Sequence, residues 1–168
     1  MSEQRRMIIT GVSSGIGLAI ATEALRLGWY VDGIGRNAPA LLAEHARGSF
    51  TACDLSDRAA LKGISLATEE VYDCTVLVNN AGITRDRMFL KMTPEDWKAV
   101  IDTNLNAMFN VTKQVVPGMV EKGWGRIIQI SSVNGEKGQS GQTNYSAAKA
   151  GMHGFTMALA QEMATKGV

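Results

Sequence analysis

Cysteine and histidine are scarce in this chain, and charge of either sign is balanced. Each shortage closes a class of function. The two cysteines, Cys53 and Cys74, share no metal-binding spacing. They read as buried, reduced thiols. The two histidines, His45 and His153, stand in no ligand pattern, so no metal site is expected. A net charge of +1 gives no electrostatic case for nucleic acid or an anionic membrane surface. No apolar run approaches the roughly 20 residues of a membrane span. Met1-Ser2-Glu3-Gln4-Arg5-Arg6 leads into a short apolar strand, not a signal-peptide core, so the cytoplasm is the expected compartment. Low-complexity tracts and internal repeats are absent.

What is present reads as a soluble globular protein. The 168 residues, 45% hydrophobic and 20% charged, suffice for one domain with a good core. Strand and helix alternate, which argues for an α/β domain with a parallel sheet. Met7 to Thr10, Tyr30 to Ile34, Ser49 to Cys53, Thr75 to Val78 and Arg126 to Ile130 read as strands, with Asp32 an odd residue for a buried one. Ile16 to Leu27 reads as a helix stopped by Gly28. Ser56 is the expected N-cap of a helix over Asp57 to Glu70. Thr93-Pro94-Glu95-Asp96 is a strong helix start: a cap, a proline in the first turn, then two acids near the positive helix end. That helix is expected to run to about Val116, where Pro117 and Gly118 interrupt it. Asn134 to Gln142 reads as a polar, glycine-rich loop, and Thr143 to Thr165 as the last helix.

Three features carry chemistry. The first is Thr10-Gly11-Val12-Ser13-Ser14-Gly15-Ile16-Gly17, between the first strand and first helix. Glycines there let backbone approach a pyrophosphate, and the helix N-terminus supplies free N–H groups and a positive dipole. The spacing G-x-x-x-G-x-G differs from the common dinucleotide fingerprint. Alone it is compatible with a plain turn.

The second lies where the second strand ends, beside the position of an adenosine ribose. An acid there holds a ribose 2′-hydroxyl, whereas an arginine accommodates a 2′-phosphate. This chain has Gly35-Arg36-Asn37, and Asp32 comes too early to sit at the strand tip. Arg36 therefore favours NADPH over NADH, the alternative being a solvated surface arginine.

The third is Tyr145 with Lys149, which share one helix face at i and i+4. A free phenol has a pKa of about 10, and a nearby positive charge favours its ionised form. Such a phenol suits proton transfer to a carbonyl oxygen. Many Tyr-x-x-x-Lys pairs are only a solvated face, but here the glycine turn and the Ser131-Ser132 pair frame it.

Together, Thr10 to Gly17, Asn79 to Gly82, Ser131-Ser132 and Tyr145 with Lys149 resemble the short-chain dehydrogenase/reductase family. From residue 79 onward the likeness narrows to its 3-ketoacyl reductases, acetoacetyl-CoA reductases above all. Ile101-Asp102-Thr103-Asn104-Leu105 and Gly141-Gln142-Thr143-Asn144-Tyr145-Ser146 are among the stretches that carry it. Residues 1–75 match only the general family pattern, and Asn37 to Ser49 is short for it.

The resemblance implies a Rossmann-type, doubly wound parallel sheet of order 3-2-1-4-5, with residues 1–168 as one dinucleotide-binding and catalytic domain. It implies a catalytic set of Asn104, Ser132, Tyr145 and Lys149. Gly11, Ser13, Ser14, Gly15, Ile16, Gly17, Arg36, Asp54, Asn80, Ala81, Gly82, Tyr145 and Lys149 would hold NADPH, with Asp54 facing the adenine. Gln139, Ser140 and Gln142 are candidates to touch an acyl-CoA thioester. The implied reaction gives the (R)-3-hydroxyacyl thioester, in polyhydroxyalkanoate synthesis for many members. Subunits would pair, up to a homotetramer, through the two long helices.

Members of the family normally continue beyond the position of Val168 into two further strands and mobile substrate-covering helices. The expectation is a sheet lacking those last two strands, with weak NADPH binding and slow or no turnover for a chain that ends at Val168; if these residues are a portion of a longer chain, the enzyme reading stands unweakened. Two alternatives stand beside the leading reading. One is a 3-ketoacyl-(acyl-carrier-protein) reductase; the other is a non-catalytic nucleotide-binding or assembly subunit.

Overall fold

The computed structural model describes residues 5–63 and 74–168. Five parallel strands form one sheet: β1 (Arg6–Thr10), β2 (Tyr30–Gly35), β3 (Gly48–Ala52), β4 (Cys74–Asn79) and β5 (Arg126–Gln129). Their order is β3-β2-β1-β4-β5, as expected. The chain leaves β1 toward one edge and returns to the other side through β4. That reversal opens a crevice at the carboxyl ends of β1 and β4.

Both faces of the sheet are covered over its central strands, while Ile128 on the edge strand β5 stays exposed, and the strand sequences show why. Successive side chains point to opposite faces. Ile8 and Leu77 pack in one layer with Val111, Val115 and Met119 of helix α5 (Ala107–Lys122). Ile9, Val76 and Val78 pack in the other with Ala21 and Leu25 of α1 (Gly15–Arg26). Ile8 and Ile9 are fully buried. Removing each from water is worth about 1.5–3 kcal/mol. Asp32 is reconciled with its strand by neutralisation. Arg6 lies 2.8 Å from it, and the Ser49 hydroxyl donates to its other oxygen.

Four local readings change. The short helix α2 (Ala40–Glu44) occupies the compact stretch before β3, where no element was expected. Helix α3 (Arg58–Gly63) is capped by Asp57, whose Oδ1 accepts from the N–H groups of Ala59 and Ala60; Ser56 instead donates to Asp54. The remainder of that expected helix, to Glu70, lies outside the described residues. Pro117 does not end its helix. The helix begins as α4 (Pro94–Ile101), passes through a π turn (Asp102–Asn106) and continues as α5 to Lys122. A proline deletes one N–H, whereas buried Val115 and Met119 anchor the turns around it. The actual stop is Gly123, at φ 68°. The expected loop after β5 contains a helical turn, α6 (Asn134–Lys137), before α7 (Thr143–Met163). Thr93 behaves as read, in a reciprocal capping box with Asp96. No described helix is long and apolar enough to cross a membrane.

Candidate active site

The glycine turn lies against the loop that follows β4. Thr10 Oγ1 accepts from the N–H groups of Asn80 and Ala81, both at 3.0 Å. The Asn80 amide returns two bonds, to the carbonyls of Thr10 (3.1 Å) and Gly11 (3.0 Å). Such close approach requires glycine. Gly11 has φ 72°, and a Cβ there would fall 2.8 Å from Ala81 Cα. A Cβ on Gly17 would fall 2.3 Å from the Gly11 carbonyl oxygen. Gly17 therefore seats α1 against the turn from behind. Asn79 turns the other way, buried, with its amide donating to Thr112 Oγ1 at 3.0 Å.

These contacts shape a cavity of about 540 Å³. Gly11, Ser13, Ser14, Ile16, Arg36, Asp54, Asn80, Ala81 and Gly82 all line it. Gly15 and Gly17 belong to the turn but not to the lining. Sequence reasoning did not pick out Cys53, Leu55, Ile83 or Thr103, which also line it. Ser14, the N-cap of α1, makes no side-chain cap bond, so it does not occupy the first N–H groups of that helix. A glycine cradle opening onto such a helix end fits a dinucleotide pyrophosphate. Asp54 is held below the ordinary carboxylate range chiefly by the Ser56 hydroxyl and N–H; burial opposes this, and the Arg36 charge adds to it. Arg36 is exposed at the tip of β2, as its position predicts.

A second hollow, about 590 Å³, adjoins this crevice at Leu55 and Ser56 and lies between the start of α3 and the α4–α5 helix. It contains no residue of the glycine turn and no residue of the expected catalytic set. Among the described residues no cluster of His, Cys, Asp or Glu is built to hold a metal.

Two of the expected catalytic residues, Asn104 and Lys149, meet beside Gly82. A Cβ at Gly82 would lie 3.2 Å from Asn104 Oδ1 and 3.7 Å from Lys149 Nζ. Lys149 is 3% exposed, and its Nζ donates to the Ile130 carbonyl at 2.6 Å. Burial pushes its pKa down to about 8. The same Nζ lies 5.6 Å from the ring centre of Tyr145, which is half-buried. The Ser131 hydroxyl donates to the Lys149 carbonyl at 3.2 Å, whereas Ser132 Oγ accepts from the Asn134 N–H at 3.2 Å. The two serines thus differ: Ser131 gives its proton to α7, whereas Ser132 accepts from its own loop. Asn104 sits in the π turn and clamps Ile83, accepting from its N–H at 2.7 Å and donating to its carbonyl at 2.9 Å. Gln139 and Ser140 are exposed in the loop before α7. Gln142 is engaged at both ends of its amide, with Asn134 and Asp86.

Comparison with known proteins identifies the family and the fold. The family model described as short chain dehydrogenase matches residues 5–168. An acetoacetyl-CoA reductase of Cupriavidus necator is 55% identical over 98% of this chain and 71% of its own length. A 3-oxoacyl-(acyl-carrier-protein) reductase of Pseudomonas aeruginosa is 41% identical over 96% of this chain and 68% of its own. A short-chain dehydrogenase structure from Streptomyces avermitilis superposes with a TM-score of 0.90 at 31% identity, covering 98% of this chain and 62% of that one. The chain belongs to the short-chain dehydrogenase family, whose members are oxidoreductases that use a nicotinamide cofactor.

Proposed function

We propose that this chain is an NADPH-dependent reductase of 3-ketoacyl thioesters of the acetoacetyl-CoA type, giving the (R)-3-hydroxyacyl thioester. The observation that carries the chemistry is the buried Lys149 amine, fastened to Ile130 and facing the Tyr145 ring at the end of the glycine crevice. The substrate class is supported by the identity to the Cupriavidus necator acetoacetyl-CoA reductase. Residues 1–168 act, in this reading, as one dinucleotide-binding and catalytic unit.

The roles follow from residue chemistry. The N-terminus of α1 and the Gly11 turn take the pyrophosphate. Arg36 pairs with the 2′-phosphate, and Asp54 faces the adenine. A reduced nicotinamide held in the crevice would supply the hydride for the ketone carbon. Ser132 donates its O–H to the ketone oxygen, where negative charge grows. Tyr145 delivers the proton to that oxygen. Lys149 holds ribose hydroxyls and balances the charge left on the phenol. Asn104 serves a water that resupplies protons through Lys149; with its amide committed to Ile83, a backbone group of the π turn is left for that task. Gln139 and Ser140 border the acyl group. Copies of the chain associate through α5 and α7, covering Phe109 (49% exposed) and Met157 (63% exposed).

The test is NADPH consumption with acetoacetyl-CoA, followed by chiral analysis of the product. Loss of NADPH absorbance and an (R)-product support the reading. NADPH binding without turnover supports the assembly-subunit alternative. A second reading, acyl-carrier-protein thioesters, is favoured by the Pseudomonas aeruginosa relative. Parallel assays with both carriers separate the two.

A further inference from the structure

A small hollow lies beneath the tips of β1 and β4, on the sheet face that packs against α5. Strand side chains alternate, so Thr10 shares that face with Ile8, and Asn79 shares it with Leu77. Thr103 and Asn104 of the π turn and Ala107 and Met108 of α5 also line the hollow. Lys149 and Ile83 are not among its lining residues. It is therefore separate from the place of the proton-resupplying water in the proposed mechanism. Thr10, Asn79, Asn104, Ala107 and Met108 are all buried. The space open to the centre of a water-sized sphere is about 10 Å³, the room of a single water.

The polar groups around this space have bonds still to make. Thr10 Oγ1 accepts from the N–H groups of Asn80 and Ala81, both at 3.0 Å. Both of its lone pairs are then taken, and the hydroxyl proton is left to donate. Asn79 is 3% exposed. Its Nδ2 donates to Thr112 Oγ1 at 3.0 Å, and its Oδ1 is buried without a hydrogen-bond partner among the described residues. Turning that amide over would only leave its NH₂ orphaned in place of its oxygen. Asn104 spends one hydrogen of its amide on the Ile83 carbonyl and keeps a second. Empty cavities in proteins are apolar, whereas a polar hollow of this size holds water.

We propose that this hollow is a binding site for one water molecule, anchored on Asn79. The water accepts from the Thr10 hydroxyl, donates to Asn79 Oδ1 and takes a third bond from the spare Asn104 hydrogen. The occupant must accept and donate at once. A metal cation cannot accept from Thr10, and a small anion cannot donate to Asn79. Three bonds are the usual complement of a buried water. The water ties the glycine turn, the tip of β4 and the π turn to one another. The site does not depend on the thioester reading.

A high-resolution crystal structure of the protein tests it. The expected result is one well-ordered peak within about 3.0 Å of both Thr10 Oγ1 and Asn79 Oδ1. An empty hollow overturns the proposal. So does a peak ringed by about six oxygens at about 2.4 Å, the mark of a cation. In Asn79→Leu the acceptor is gone and the peak should vanish; a peak that persists there overturns Asn79 as the anchor.

Should that variant not fold, the parent is read in solution. Rotating-frame NMR is expected to show a direct cross-peak between water and the Ala107 methyl group, and its absence refutes the site. None of these readouts involves turnover, so a chain that reduces no thioester leaves the test intact and sinks the proposed function alone.

Discussion

Lys149 and Tyr145 face each other across one turn of α7, with the lysine amine 5.6 Å from the tyrosine ring centre. The lysine is immobilised by the Ile130 carbonyl, so its charge has a fixed address. An amine in that position costs the fold when protonated, and this has a measurable sign.

Burial holds Lys149 at about 8, against 10.5 for the free group. Below about 8 it is charged in both folded and unfolded chains, and the full penalty of burying the charge is present. Between about 8 and 10.5 the unfolded chain binds more protons, so this group's contribution to stability rises with pH. Denaturant unfolding at pH 7.5 and about 9.5, compared with Lys149→Met, reads this window. The parent should gain stability relative to the variant as pH rises. Parallel pH profiles contradict the assignment.

Gly17→Ala places a methyl 2.3 Å from the Gly11 oxygen and 2.5 Å from the Asn80 amide nitrogen. The turn must shift, at a cost of about 1–3 kcal/mol. Both thermal stability and NADPH affinity should fall. Calorimetry and a binding titration check the two together, and unchanged NADPH affinity removes the turn from the cofactor site.

Arg36→Asp replaces the cation at the tip of β2 by an acid. NADPH affinity should drop about 10- to 100-fold, the worth of a charged hydrogen bond. NADH affinity should hold or improve. Titration of both cofactors by fluorescence provides the comparison; an equal loss for both would show Arg36 to be merely a surface residue.

Asn104→Ala strips Ile83 of partners for its N–H and its carbonyl. The expected destabilisation is about 1–3 kcal/mol, with faster amide exchange at Ile83. Unaltered exchange would place the control of this loop elsewhere.

Much of this was legible in the sequence because the signals are local. Short continuous apolar runs around Ile8 and Leu77 announced strands buried on both faces, and Thr93 with Asp96 announced a helix start. Tyr145 and Lys149 are one helical turn apart. The missed features depend on partners distant in the chain or on choices between near-equal neighbours. Asp57 and Ser56 are both good caps, and only the turn geometry chose Asp57. Pro117 reads as a breaker until Val115 and Met119 are seen buried against the sheet. The π turn at Asn104 has no composition of its own. The bond from Gln142 to Asp86 joins residues 56 apart, beyond any local pattern.

The central claim is that the phenol of Tyr145 supplies the proton to a 3-ketoacyl thioester. The direct measurement is the rate of NADPH oxidation by acetoacetyl-CoA with the parent and with Tyr145→Phe, alongside NADPH binding by both. The account predicts turnover by the parent, a loss of about 100-fold or more in the variant, and equal NADPH binding. Turnover by the variant at the parent's rate would contradict it.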